Sequence, residues 1–201
     1  LMAIYRSSYE DMKLILGSSS KFRRVVMDEL GLAYEVVSPD IDEKAIRIDD
    51  PDALVLAIAN AKADAVVKQI VEPAIVITSD QIVVWNGEIR EKPTTIEQAK
   101  EFIRSYGEHP AVIINGMVVV NTETGKRVQG IEVMHAWYMP IPEDVAGLLA
   151  SNENAMLSAG GLRFENPIMQ KFMIHTDGSA DVAMGLPKKL LKKLLTEQEY
   201  L

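Results

Sequence analysis

The chain has 201 residues, 48% of them hydrophobic, with a formal net charge of -8; this suffices for one sizeable α/β domain or two small lobes. The acidic balance argues against a nucleic-acid polymer or an anionic membrane as the main partner, while leaving room for a small phosphorylated ligand in a local basic pocket. Cysteine is absent, which excludes disulfides and thiolate ligands or nucleophiles, and no apolar run reaches the ~18 residues of a membrane span. Leu1 to Asp11 carries no signal-peptide core, so a cytoplasmic protein is the expectation.

Leu14-Ile15-Leu16 reads as a short buried strand. Gly17-Ser18-Ser19-Ser20 follows as a tight loop, and from Phe22 the apolar spacing becomes helical, with Gly31 as a stop. Strand, small-residue loop and helix start point backbone N–H groups and a positive dipole end at one spot, where an anion is favoured. Ser18, Ser20, Arg23 and Arg24 add donors suited to phosphate. The plainer alternative makes Ser20 an N-cap and the arginines a solvated first turn.

Ala33 to Ser38 predicts a strand, ended by Pro39 and followed by the acidic loop Asp40-Ile41-Asp42-Glu43. Clustered carboxylates there suit a hard divalent cation or simply an acidic surface turn. Asp50-Pro51 opens an Ala-rich helix running to about Val71. Its Lys62 either snorkels to solvent or reaches over a cleft lined by alanines. Ala74 to Trp85 predicts a central strand, interrupted by Asp80. A carboxylate in such a strand is costly unless paired, hydrogen-bonded or metal-bound, which makes Asp80 the foremost functional candidate.

Asn86-Gly87 signals a hairpin, and the return strand reaches Lys92-Pro93. Thr94-Thr95-Ile96-Glu97 predicts a capping box and a helix to about Gly107. Strands are expected over Ala111 to Asn121 and Val128 to Met139, and a short helix from Pro142 to Ala150. Ser158-Ala159-Gly160-Gly161 is a loop where backbone can approach a ligand. Short strands are expected over Met169 to Ile174 and Ala180 to Met184, and a closing helix over Lys188 to Glu197. No P-loop, dinucleotide fingerprint or nucleophile elbow is present, and His109, His135 and His175 lack metal-ligand spacing.

Several separated motifs then converge. Ser18-x-Ser20-x-x-Arg23, the acidic loop, Lys62, Ser79-Asp80-Gln81, Gly87-Glu88 with Lys92-Pro93, Ala159-Gly160 and Gly185-Leu186-Pro187 together resemble the Maf family of nucleoside triphosphate pyrophosphatases. The resemblance implies one mixed-sheet α/β domain over residues 13–201, in two lobes about a cleft, after an extension at 1–12. It also implies hydrolysis of a nucleoside triphosphate to monophosphate and pyrophosphate with Mg²⁺, or Mn²⁺ or Co²⁺ in its place; a homodimer is compatible with it. By the resemblance, Asp80 would be general base or metal ligand, with Asp42 and Glu43 helping to hold the metal. Ser18, Ser20, Arg23, Lys62 and Lys92 would bind phosphates. Phe22, Gln81 and Glu165 match the specificity positions of the 7-methyl-GTP branch rather than the dTTP/UTP branch. A cationic methylated base favours an aromatic face and a carboxylate on its N–H edge. Lys21 stands where the family usually has Pro, Phe22 where the branch usually has Trp, and Asn166-Pro167 follows Glu165. A non-catalytic nucleotide-binding regulator of cell division is the alternative from another class.

Overall fold

Seven strands form one mixed sheet in the order β2-β1-β3-β5-β6-β7, with β4 beside β3. They are β1 (Lys13–Leu16), β2 (Glu35–Val36), β3 (Ala74–Trp85), β4 (Glu88–Arg90), β5 (Ala111–Asn121), β6 (Arg127–Tyr138) and β7 (Met173–Thr176). The helices are α1 (Lys21–Glu29), α2 (Pro51–Val67), α3 (Ile96–Ser105), α4 (Glu143–Ala150), α5 (Pro167–Phe172), α6 (Ala180–Ala183) and α7 (Lys188–Glu197). The structure, a computed structural model, describes residues 12–201, so the expected N-terminal extension lies outside the described residues except for Met12. The sheet is parallel where β1 meets β2 and β3, and antiparallel at β3–β4 and β6–β7. This is the mixed α/β class expected from the sequence.

Contacts divide the chain into two units. The first comprises the chain through Asp80 with Gly116–Ile131 and Gly185–Leu201; the second comprises Gln81–Asn115 and Glu132–Met184. In the first unit, Ile15, Val76, Val118 and Val120 pack with Ala59, Ala63 and Val66 of α2. The close approach of β5 to α2 leaves no room for a side chain at Gly116, where a Cβ would lie 2.7 Å from the Val55 carbonyl carbon. Asp50 caps α2 by accepting from Ala53 N–H at 2.7 Å, with Pro51 at the first turn. In the second unit, α3 and α4 pack on Ile113, Met134, Ala136 and Tyr138. The Asn86-Gly87 turn has positive φ at both residues, 46° and 82°, as a tight hairpin of this kind needs.

The structure corrects several boundaries. The strand expected over Ala33 to Ser38 is only Glu35–Val36, and α2 stops at Val67 rather than Val71. The capping residue of α3 is Thr95, which accepts from Gln98 N–H; Gln98 in turn accepts from Thr94 N–H at 2.7 Å. Two expected strands are helical. Asn166 accepts from Ile168 and Met169 N–H ahead of Pro167 and so starts α5, leaving only Met173–Thr176 extended. Ala180–Ala183 forms the single helical turn α6. Short apolar runs fit either period, and the Asn-Pro start decides the first case.

Candidate active site

Gly17 turns the chain at the end of β1. A Cβ there would meet the Thr78 methyl at 2.6 Å, so the loop can cross β3 closely only with glycine. Ser20 caps α1, accepting from Arg23 N–H at 3.5 Å. Ser18 is buried, and its Oγ accepts from Ser20 N–H and from Arg23 Nη1, each at 3.2 Å. Ser20 is therefore a cap in fact, while Ser18 braces the arginine and keeps its own O–H to donate. Arg23 Nε donates to the Gly185 carbonyl at 2.9 Å. Burial pushes the Arg23 guanidinium below its usual range, while the charges of Asp80 and Glu43 pull it back up. Arg24, the next residue of α1, is exposed.

Asp80 ends the first unit's share of β3 and is 5% exposed. Lys62 of α2 is equally buried and does not snorkel to bulk water. Its Nζ donates to Asp80 Oδ1 at 2.7 Å and lies 3.0 Å from Glu43 Oε1. The two carboxylates thus converge on one ammonium. Removing one partner of such a buried pair costs about 3–5 kcal/mol, because the other charge is stranded. Asp42 works differently. Its Oδ1 accepts from Lys44 N–H and caps the short turn Glu43–Ala45 that delivers Glu43. Among the described residues no three His, Asp or Glu side chains gather as a metal cage. Two convergent carboxylates nevertheless fit a Mg²⁺-like cation, which takes one or two carboxylates and completes its shell with substrate phosphates and water.

Two residues of this cluster carried little side-chain signal of their own. Ser79 Oγ donates to the Gly185 carbonyl at 2.9 Å, so one backbone oxygen anchors both Ser79 and Arg23. Gly185 holds φ at +87°, and a Cβ there would come within 3.1 Å of Arg23 Nε. The Gly-Leu-Pro motif is visible in sequence, but the acceptor it supplies is main chain.

The first unit therefore brings together Ser18, Ser20, Arg23, Glu43, Lys62 and Asp80. Phe22 belongs to it too, half-buried, with Lys21 Nζ 5.3 Å above its ring. Gln81, Lys92 and Glu165 belong to the second unit. Gln81 Nε2 donates to the Val182 and Ala183 carbonyls at 3.0 and 3.1 Å. With its amide nitrogen held this way, its carbonyl oxygen is the group left to meet a ligand. Lys92 is exposed just beyond β4. Glu165 accepts from Arg163 Nε at 2.6 Å.

The chain as a whole is similar to known proteins. The profile of the family described as Maf-like protein matches residues 13–198. A Dictyostelium discoideum protein named 7-methyl-GTP pyrophosphatase is 42% identical over 191 residues, covering 92% of this chain and 96% of its own. One of the same name from Idiomarina loihiensis is 34% identical, covering 92% of this chain and 93% of its own. A third, from Vibrio vulnificus, is 29% identical over 94% of this chain and 96% of its own.

Proposed function

The chain belongs to the Maf-like family, and on that basis we propose that it hydrolyses nucleoside triphosphates at the α–β bond, 7-methyl-GTP foremost. Water attacks the α-phosphorus, the bond to the bridging oxygen breaks, and the nucleoside monophosphate and pyrophosphate depart. The observation that carries this reading is the buried Asp80–Lys62 pair, joined by the half-exposed Glu43, beside the Ser18–Arg23 loop. Asp80 Oδ1 is held by Lys62, which orients the carboxylate so that its other oxygen can take a proton from the attacking water. Arg23 and Lys62 bind the triphosphate and offset charge on the leaving pyrophosphate, and Lys92 is a further phosphate-binding residue. Ser18 donates its hydroxyl to a phosphate oxygen, and the amides at the start of α1 add their own donors.

A divalent cation, Mg²⁺ by preference, would be held by Asp80 and Glu43 with phosphate oxygens, and when bound would neutralise the triphosphate and acidify a water. Phe22 stacks on the base. An aromatic face favours a positively charged methylated guanine by ~0.5–2 kcal/mol. Glu165 accepts from the N–H edge of the guanine. The relatives named 7-methyl-GTP pyrophosphatase support the same substrate.

The test is pyrophosphate release by the purified protein with Mg²⁺ or Mn²⁺ across 7-methyl-GTP, GTP, dTTP, UTP and CTP. The expected ranking has 7-methyl-GTP first. A ranking led by dTTP or UTP keeps the reaction and removes the substrate; no release from any of them removes the reaction.

A further inference from the structure

The second unit contains a buried tyrosine that plays no part in the chemistry above. Tyr106, just after α3, is 1% exposed. Its hydroxyl donates to the Gly160 carbonyl at 2.8 Å, and the Gly160 N–H donates to the Glu91 carbonyl at 2.9 Å. Gly160 is therefore clamped on both of its backbone groups. Its φ is +60°, and a Cβ there would fall 2.2 Å from the Tyr106 hydroxyl. No side chain other than hydrogen fits between the phenol and the loop.

Each end of this clamp leads to a residue of the proposed site. Glu91 is the neighbour of Lys92. Gly160 begins the short stretch ending at Glu165, and the far end of that stretch is fixed by Asn166 capping α5. The phenol ring packs beside the Arg90 guanidinium, 5.4 Å from its centroid, and the Tyr138 ring, 6.3 Å away. Burial raises its pKa well above the ordinary tyrosine range, so it remains a donor at any working pH.

We propose that Tyr106 is a positioning residue: its hydroxyl, acting through Gly160, sets Lys92 against the phosphates and Glu165 against the base. This rests on the phosphate and base roles given above for those two residues. A misplacement of the order of 1 Å in such groups is enough to cost ~10²-fold in rate.

The experiment is the Y106F substitution, which keeps the ring and removes only the donor, made in the wild-type chain and in the K92Q/E165Q chain. In the wild-type chain, kcat/KM for 7-methyl-GTP is expected to fall ~10-fold or more, and the preference for 7-methyl-GTP over GTP to shrink. In the K92Q/E165Q chain the same change is expected to cost less than ~2-fold, because residues acting through one another are not additive. 4-Aminophenylalanine at position 106, which restores a donor, should recover the preference. An unchanged preference with a loss fully additive to K92Q/E165Q overturns the proposal. So does a Y106F protein that lacks a folding transition, since the hydroxyl would then hold the fold rather than the site. Wild-type protein inactive on every nucleotide would instead overturn the hydrolase reading.

Discussion

Lys62 in the first unit and Arg90 in the second are both buried cations, 5% and 3% exposed, yet their surroundings differ. Lys62 sits between two carboxylates, Asp80 and Glu43. Arg90 lies under three rings, 4.1 Å from the Trp85 centroid, 4.5 Å from Phe102 and 5.4 Å from Tyr106. It also donates to Ser105 Oγ at 2.6 Å and to the Phe102 carbonyl at 3.2 Å, and a longer contact of 3.4 Å reaches the exposed Glu88 carboxylate at its edge. Aromatic faces and a main-chain carbonyl cannot be exchanged for a ligand without unpacking the unit. Carboxylates around an ammonium can be, because phosphate oxygens offer the same chemistry. An ammonium has three donors, and two serve Asp80 and Glu43. On the proposed function, the first cation is machinery and the second framework.

Exchange substitutions should separate the two roles. K62Q strands Asp80 and is expected to cost about 3–5 kcal/mol of stability while abolishing pyrophosphate release even in the protein that stays folded. R90K removes the planar fork and the stacking that lysine cannot supply. It should lower the melting temperature, while the folded fraction keeps kcat within ~10-fold, because Arg90 supports the unit by packing and takes no part in the chemistry. Chemical denaturation alongside steady-state kinetics checks both. An R90K protein of normal stability and no activity would erase the contrast.

A smaller effect refines the framework side. Tyr138 is buried beside Tyr106, but among the described residues its hydroxyl has no hydrogen-bond partner. Y138F should therefore be neutral or stabilising, since no bond is lost and a buried polar group is removed. Burial raises the pKa of both phenols. The native state then holds protons that the unfolded chain releases near pH 10, so stability is full below that pH and falls as pH rises above it. Following phenolate absorbance and the folding transition together should show ionisation of these two rings only as the protein unfolds.

The sequence makes one half of this contrast legible and hides the other. Asp80 stands out because a carboxylate inside an apolar strand must be paired. Its partner is ambiguous, since nothing local tells a snorkelling lysine from one reaching a carboxylate 18 residues away. Asp42 and Glu43 look equivalent in sequence; a three-residue helical turn assigns one to a cap and the other to Lys62. Arg90 gives no signal, because two of its three rings come from α3 and the turn after it. The Gly185 carbonyl is equally silent, being main chain. Helices α5 and α6 show the reverse: the Asn166-Pro167 start is visible, but apolar runs this short satisfy the strand period as well as the helical one.

The role of Asp80 is tested by the Asp80→Asn protein, assayed for turnover of 7-methyl-GTP and for nucleotide affinity by calorimetry. A fall in kcat of ~10³-fold or more is expected, in the range for loss of a positioned general base, with nucleotide affinity retained when measured without a divalent cation. Turnover above a tenth of the wild-type rate, with the protein folded, would contradict it and leave the buried Asp80–Lys62 pair as a structural feature.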